Sequence, residues 1–193
     1  MKEASEASEA LKIIEEMIGK TKNDISEKGT YYLLWGWMVF AAAIGHLLLE
    51  IFPTGILPPL TWPVFMGTAG VISYFISKKE SKKVKVKSYL EDFMNTLWKA
   101  FGISLFIALF ITLNKDPLLC YPVILIFYGL GTFTTGILLK FKPLILGSIG
   151  CWILSIVSIY VTFNIQLLLL ATGVMISYII PGHMLKAQHN TIV

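Results

Sequence analysis

The chain has 193 residues, of which 55% are hydrophobic and 15% charged, and a formal net charge of +4. Soluble domains carry about a quarter charged residues, and one core of this size cannot hide so much apolar surface, so composition excludes an ordinary soluble domain and implies a chain solvated by lipid. The apolar residues fall in blocks between short polar breaks and do not alternate, which argues against an outer-membrane barrel with its strands of about ten alternating residues.

Residues 1–28 predict an amphipathic helix: Ala7, Leu11, Ile14, Ile18, Thr21 and Ile25 recur at steps of four and three, Met17 widens the stripe, and Gly29 ends it. The segment is polar and partly acidic, unlike a basic stretch leading into a short apolar one, so the first span is expected to act as its own insertion signal. Its seven acidic residues make an anionic surface a poor resting place. Leu11, Ile14, Met17 and Ile18 are therefore the candidate docking face for a cytosolic protein partner or for the rest of the chain.

The first span is expected at about Thr30 to Phe52, followed by a loop rich in Pro, and the second at about Leu60 to Ser77. Lys78, Lys79, Lys82, Lys83, Lys85 and Lys87 then form the strongest polar break. Ser88 to Asn114 reads as one long helix of 27 residues. At about 1.5 Å per residue it reaches about 40 Å and exceeds the hydrocarbon thickness of about 30 Å, so it protrudes or bends at the interface. Asn114 to Pro117 makes a tight turn, the fourth span covers about Leu118 to Leu139, and Lys140 to Pro143 turns the chain again. The fifth span is expected at about Leu144 to Phe163 and the sixth at about Leu167 to Ile180, where Pro181-Gly182 stops it.

Every basic residue is Lys, and with the N-terminus inside, fifteen of the 16 fall on inner segments while only Lys115 falls outside. That asymmetry fixes the expected orientation. The expected architecture is all-α: a cytosolic N-terminal amphipathic helix at 1–29, a six-helix transmembrane bundle at 30–182, and a cytosolic tail at 183–193. Both termini are expected to be cytoplasmic.

Helices in lipid associate through small residues. Gly147, Cys151, Ser155, Ser158 and Thr162 share one face of the fifth span and form the clearest packing stripe. Gly129, Thr132 and Gly136 do so on the fourth, Ala69, Ser73 and Ser77 on the second, and Gly173 and Ser177 on the sixth. A homo-oligomer is compatible with such faces. The two cysteines, Cys120 and Cys151, fall at different depths of neighbouring helices and form no metal or redox spacing, so they read as small buried residues.

His46 and Glu50, one turn apart on one face of the first span, are the candidate intramembrane polar pair, able in principle to hold a metal, a proton or a cationic group. Two ligands are too few for a metal site without partners from other spans. The lysine cluster at 78–87 lies beside the membrane, where anionic lipid headgroups are its nearest counter-charges. It lacks the interleaved aromatic residues of single-strand nucleic-acid binders, so no nucleic acid is expected. No nucleotide loop, catalytic motif or paired intramembrane carboxylate is present, and no catalytic residue, metal or cofactor is expected.

Leu33-Leu34-Trp35-Gly36-Trp37, Lys140-Phe141-Lys142-Pro143-Leu144 with Cys151-Trp152, and Tyr178 through His183 resemble runs in a group of small multi-spanning bacterial membrane proteins that have no assigned function. The resemblance covers most of the chain and implies the fold and no activity, so no functional residues carry over. The expected role is that of a non-enzymatic membrane protein engaging a partner through its cytosolic face. The alternative is a small transporter or channel for a neutral or weakly polar solute, lined by Thr132, Thr135, Ser155, Ser158 and His46.

Overall fold

A computed structural model describes residues 29–52, 54–80 and 89–190. The N-terminal segment with Leu11, Ile14, Met17 and Ile18 lies outside the described residues, and so do Lys82, Lys83, Lys85 and Lys87. The described chain is all-α, with no strand among the described residues. In order come α1 (Gly29–Ile51), α2 (Thr61–Glu80), α3 (Tyr89–Lys115), α4 (Cys120–Leu138), α5 (Lys142–Ser158), α6 (Phe163–Val174), a π-helical turn (Met175–Ile179) and α7 (Ile180–Asn190). Helix is what these apolar runs must adopt in lipid, because only helices satisfy every backbone N–H and C=O within the segment.

Five helices are long and apolar enough to cross a membrane, the last of them α6 through α7 as one unit over Phe163–Ala187. The sixth, α5, has 17 residues, about 26 Å at 1.5 Å per residue, the lower limit for a span. The 27 residues of α3 form the long helix expected there.

Successive helices run antiparallel, and side-chain contacts align them. Gly29 packs on Gly182 and Leu185, and Gly36 on Tyr178 and Ile179. Gly136 meets Leu144 and Ile145, Gly129 meets Trp152, and Gly173 meets Leu125. Ser155 Oγ donates to the Pro122 carbonyl at 2.8 Å, and Gln166 Nε2 to the Ser158 carbonyl at 2.9 Å. These contacts place Gly29, the C-terminal part of α7, the α4–α5 turn and the end of α2 at one end of the bundle. The α3–α4 and α5–α6 turns lie at the other. The first end carries Lys78, Lys79, Lys99, Lys140, Lys142 and Lys186 among the described residues, and the far end carries Lys115. We call the first the basic end.

The centre of the bundle is α4, α5 and the α6–α7 unit. The window that could cross the membrane is 56% buried in α4 and 50% in α6–α7, against 6% in both α2 and α3. Thus α2 and α3 are peripheral. Toward the basic end, Tyr32, Trp98, Phe101, Tyr128 and Tyr178 join α1, α3, α4 and the π turn, with ring centroids 5.0 to 6.3 Å apart. Offset and edge-on aromatic pairs of this kind add to area burial.

Two boundaries differ from the sequence expectation. The sixth helix does not stop at Pro181-Gly182 but continues to Asn190. A proline ring inside a regular helix clashes with the carbonyl four residues back and removes a donor. Here the π turn inserts one residue just before it: the Ile180 N–H reaches back five residues to the Met175 carbonyl. Pro181, next in that register, has no N–H for Ile176. The Ile176 carbonyl instead faces Gly147, where α5 comes closest. The tail at 183–193 is accordingly helical as far as Asn190. The second correction concerns Thr162. Helix α5 ends at Ser158, so Thr162 is exposed in the following turn and its carbonyl accepts the Gln166 N–H at 3.0 Å. The helical spacing of the small residues continues in sequence one turn past the end of the helix itself.

The α4–α5 turn is a Schellman closure. The Lys140 N–H bonds the Ile137 carbonyl at 3.1 Å, and the Phe141 N–H bonds the Gly136 carbonyl at 2.8 Å. Lys140 occupies the left-handed position at φ 51°, which glycine normally takes.

Candidate functional site

The remaining four residues of the fifth-span stripe are all buried and all used in packing. Gly147 touches the π turn, and Cys151 Sγ lies 3.5 Å from the Gly173 carbonyl. Ser155 ties α5 to α4, while Ser158 Oγ is buried with no hydrogen-bond partner among the described residues. On α4, Thr132 and Thr135 return their hydroxyls to the Tyr128 and Gly131 carbonyls one turn back, at 2.7 and 2.9 Å, the usual way a helix satisfies hydroxyls in an apolar setting. The hydroxyl seam named as a candidate solute path is thus committed to backbone carbonyls, Ser158 excepted. Cys120 and Cys151 are both free and buried.

His46 is in a different situation. It lies on the buried face of α1 near the far end and is 3% exposed. Three other helices enclose it. Trp62, in the first turn of α2, donates its indole N–H to His46 Nδ1 at 3.0 Å. The Tyr121 hydroxyl, in the first turn of α4, lies 3.3 Å from the same nitrogen. The Phe163 ring at the start of α6 lies edge-on at 5.6 Å and closes against Tyr121 at 5.2 Å. Glu50, one turn further along α1, brings Oε1 to 3.6 Å from Nε2, and its side chain is 40% exposed. That distance is an electrostatic contact rather than a hydrogen bond.

This geometry assigns the ring's protonation. An indole N–H only donates, so Nδ1 must accept, and the proton of the neutral ring sits on Nε2, directed at Glu50. The same assignment bears on the metal reading of the pair. Nδ1 is taken by Trp62, and Nε2 bears the ring proton. Among the described residues no group of three His, Cys, Asp or Glu side chains is placed to hold a metal ion.

Sequence reasoning found His46 and Glu50 but not the residues that surround them. Trp62, Tyr121 and Phe163 carry no sequence signal for this role, because it exists only once α1, α2, α4 and α6 meet. A second polar spot carries no sequence signal either. The hydroxyls of Tyr32 and Tyr178, both 4% exposed, have no hydrogen-bond partner among the described residues. Tyr32 approaches the Thr135 side chain, but Thr135 Oγ1 is turned to its own backbone.

Of the lysine cluster, Lys78 and Lys79 are described. Both are exposed in the last turn of α2, where positive charge complements the helix dipole. The Lys78 ammonium also lies 6.0 Å from the centre of the Tyr74 ring. No protein-family model, curated protein or solved structure matches the chain.

Proposed function

We propose that this integral membrane protein works without catalysis, as a sensor, regulator or assembly factor whose basic end engages a cytosolic partner. One observation supports this reading above the others. Gly29 packs against Gly182 and Leu185, so the chain preceding α1, the α2–α3 connection and the C-terminal residues all leave the bundle at the same end. That end also carries six of the seven described lysines. The segment that bears Leu11, Ile14, Met17 and Ile18 and the stretch that follows Lys79 therefore both join the described helices at that end. By the positive-inside rule it is the cytoplasmic end. Its lysines also attract anionic headgroups, at about 1 kcal/mol each. The resemblance to small bacterial multi-spanning proteins supports the bacterial cytoplasmic membrane as the location.

The test is purification of the full chain and of a chain lacking residues 1–28 from the same membranes. The proposal expects a protein to co-purify with the full chain, and to be lost on truncation while the bundle keeps its helicity and unfolding midpoint. Absence of any co-purifying protein, or unfolding of the truncated bundle, contradicts it. The alternative, a small transporter or channel for a neutral or weakly polar solute, draws its support from the uncommitted polar atoms Tyr32 Oη, Tyr178 Oη, Ser158 Oγ and Gln166 Oε1. It expects solute flux in proteoliposomes that Tyr178→Phe reduces.

A further inference from the structure

The nitrogen that accepts from Trp62 is also the only ring nitrogen of His46 able to take a proton. We propose that His46 Nδ1 is a proton-binding site at the far end of the bundle, and that its proton and the Trp62 indole compete for one lone pair, so that proton binding unfastens the first turn of α2 from α1. The inference is independent of the partner reading, because it concerns the opposite end of the bundle.

Both states can be written out fully. In the neutral state Nδ1 accepts from Trp62 Nε1 at 3.0 Å, and Nε2–H points at Glu50 Oε1, 3.6 Å away. When a proton from water binds Nδ1, one N–H bond forms and the ring has no acceptor left. The Tyr121 hydroxyl, 3.3 Å from Nδ1, both donates and accepts. By rotating its O–H it becomes the acceptor for the new Nδ1–H. The carboxylate of Glu50 faces the other ring N–H and carries the opposite charge. Trp62 loses its imidazole acceptor in the second state: its indole N–H can donate only and now faces another N–H, so it must turn away from α1 to another acceptor, such as the Tyr121 hydroxyl of α4.

The surroundings make this competition consequential. Among the described residues the titratable groups facing the ring are Glu50 from α1 and Tyr121 from α4; α2 and α6 contribute Trp62 and Phe163, which do not titrate. Glu50 is 40% exposed, so the site borders solvent or headgroups on that side. Helix α2 has few other ties. Only 6% of its spanning window is buried, and Ala69 is its one fully buried described side chain. Its first turn is held by Trp62 and by Thr61 packing on Gly45. Histidine is the side chain whose ordinary titration falls in the physiological range.

The experiment uses the full chain in detergent micelles with nitrogen-15 in the tryptophan indoles, titrated from about pH 8 to about pH 4.5 across the ordinary imidazole range. Trp62→Phe assigns the Trp62 resonance, and the other four of the five indoles report whether the fold is kept. We expect the Trp62 N–H to leave its hydrogen-bonded position as the His46 ring takes its proton. Its exchange with water should rise about fivefold, the factor for losing one ordinary hydrogen bond. In His46→Gln, whose amide oxygen accepts but does not titrate, the resonance should stay fixed. The proposal is overturned if Trp62 keeps its bonded position while His46 protonates, if His46 takes no proton over this range, or if Trp62 changes identically in His46→Gln.

Discussion

Replacing Gly147 with Ala puts the packing at the centre of the bundle to a quantitative test. A methyl group there would lie 2.5 Å from the Ile176 carbonyl oxygen and 2.7 Å from the Ser177 Cα. Ordinary contacts between carbon atoms are about 3.5 to 4.0 Å, so α5 and the π turn must separate by about 1 Å. Overpacking usually costs about 1 to 3 kcal/mol. Both obstructing atoms are backbone and cannot rotate aside, which puts this substitution near about 3 kcal/mol. Alanine regains about 1 kcal/mol of helix propensity over glycine, leaving a net loss of about 2 kcal/mol by combining these two effects. The assay is reversible unfolding in mixed micelles, followed by helicity as the denaturing detergent is raised. Gly67→Ala is the internal comparison, because a methyl on that face of α2 meets nothing within 4 Å. It should gain up to about 1 kcal/mol from propensity alone. Equal and same-signed effects of the two substitutions would refute the close approach of α5 to the π turn.

Three further outcomes can be measured in the same assay. Lys140→Gly should stabilise the bundle by about 1 kcal/mol, because φ 51° strains a residue with a side chain and suits glycine; a loss of stability would show that the Schellman turn is not formed. Trp62→Phe should cost about 1 to 2 kcal/mol, since it takes the donor from a buried imidazole nitrogen, and His46→Leu combined with it should cost little more than His46→Leu alone. Asp116→Ala should cost about 1 kcal/mol by removing the Oδ1 acceptor of the Leu118 N–H, 3.0 Å away, and Asp116→Asn should recover most of it.

The spans were legible because hydrophobic blocks and lysine positions are local properties, and lipid imposes helix on any long apolar run. The helix ends were less so. Pro181 ordinarily stops a helix, and only the meeting of the π turn with Gly147 lets the chain continue past it. Thr162 fits the helical count of its neighbours, yet no residue between Ser158 and Thr162 announces that α5 has already ended. Small residues mark close approach in sequence, since helices that cross in lipid demand them, and Gly129, Gly136, Gly147 and Gly173 each lie against a neighbouring helix. The enclosure of His46 was legible only in its first half. The spacing of His46 and Glu50 is a property of one helix, whereas Trp62, Tyr121 and Phe163 arrive from three others.

The most direct test of the account is which side of the membrane each helix end faces. Single cysteines in place of Lys79, Lys115, Lys142 and Lys186 can be probed in intact cells with a membrane-impermeant maleimide, against a low background because Cys120 and Cys151 are buried. The account predicts that only the cysteine at position 115 reacts from outside, and that those at 79, 142 and 186 react only after the membrane is opened. Reaction of positions 115 and 142 from the same side would contradict both the antiparallel order of the helices and the assignment of the basic end to the cytoplasm.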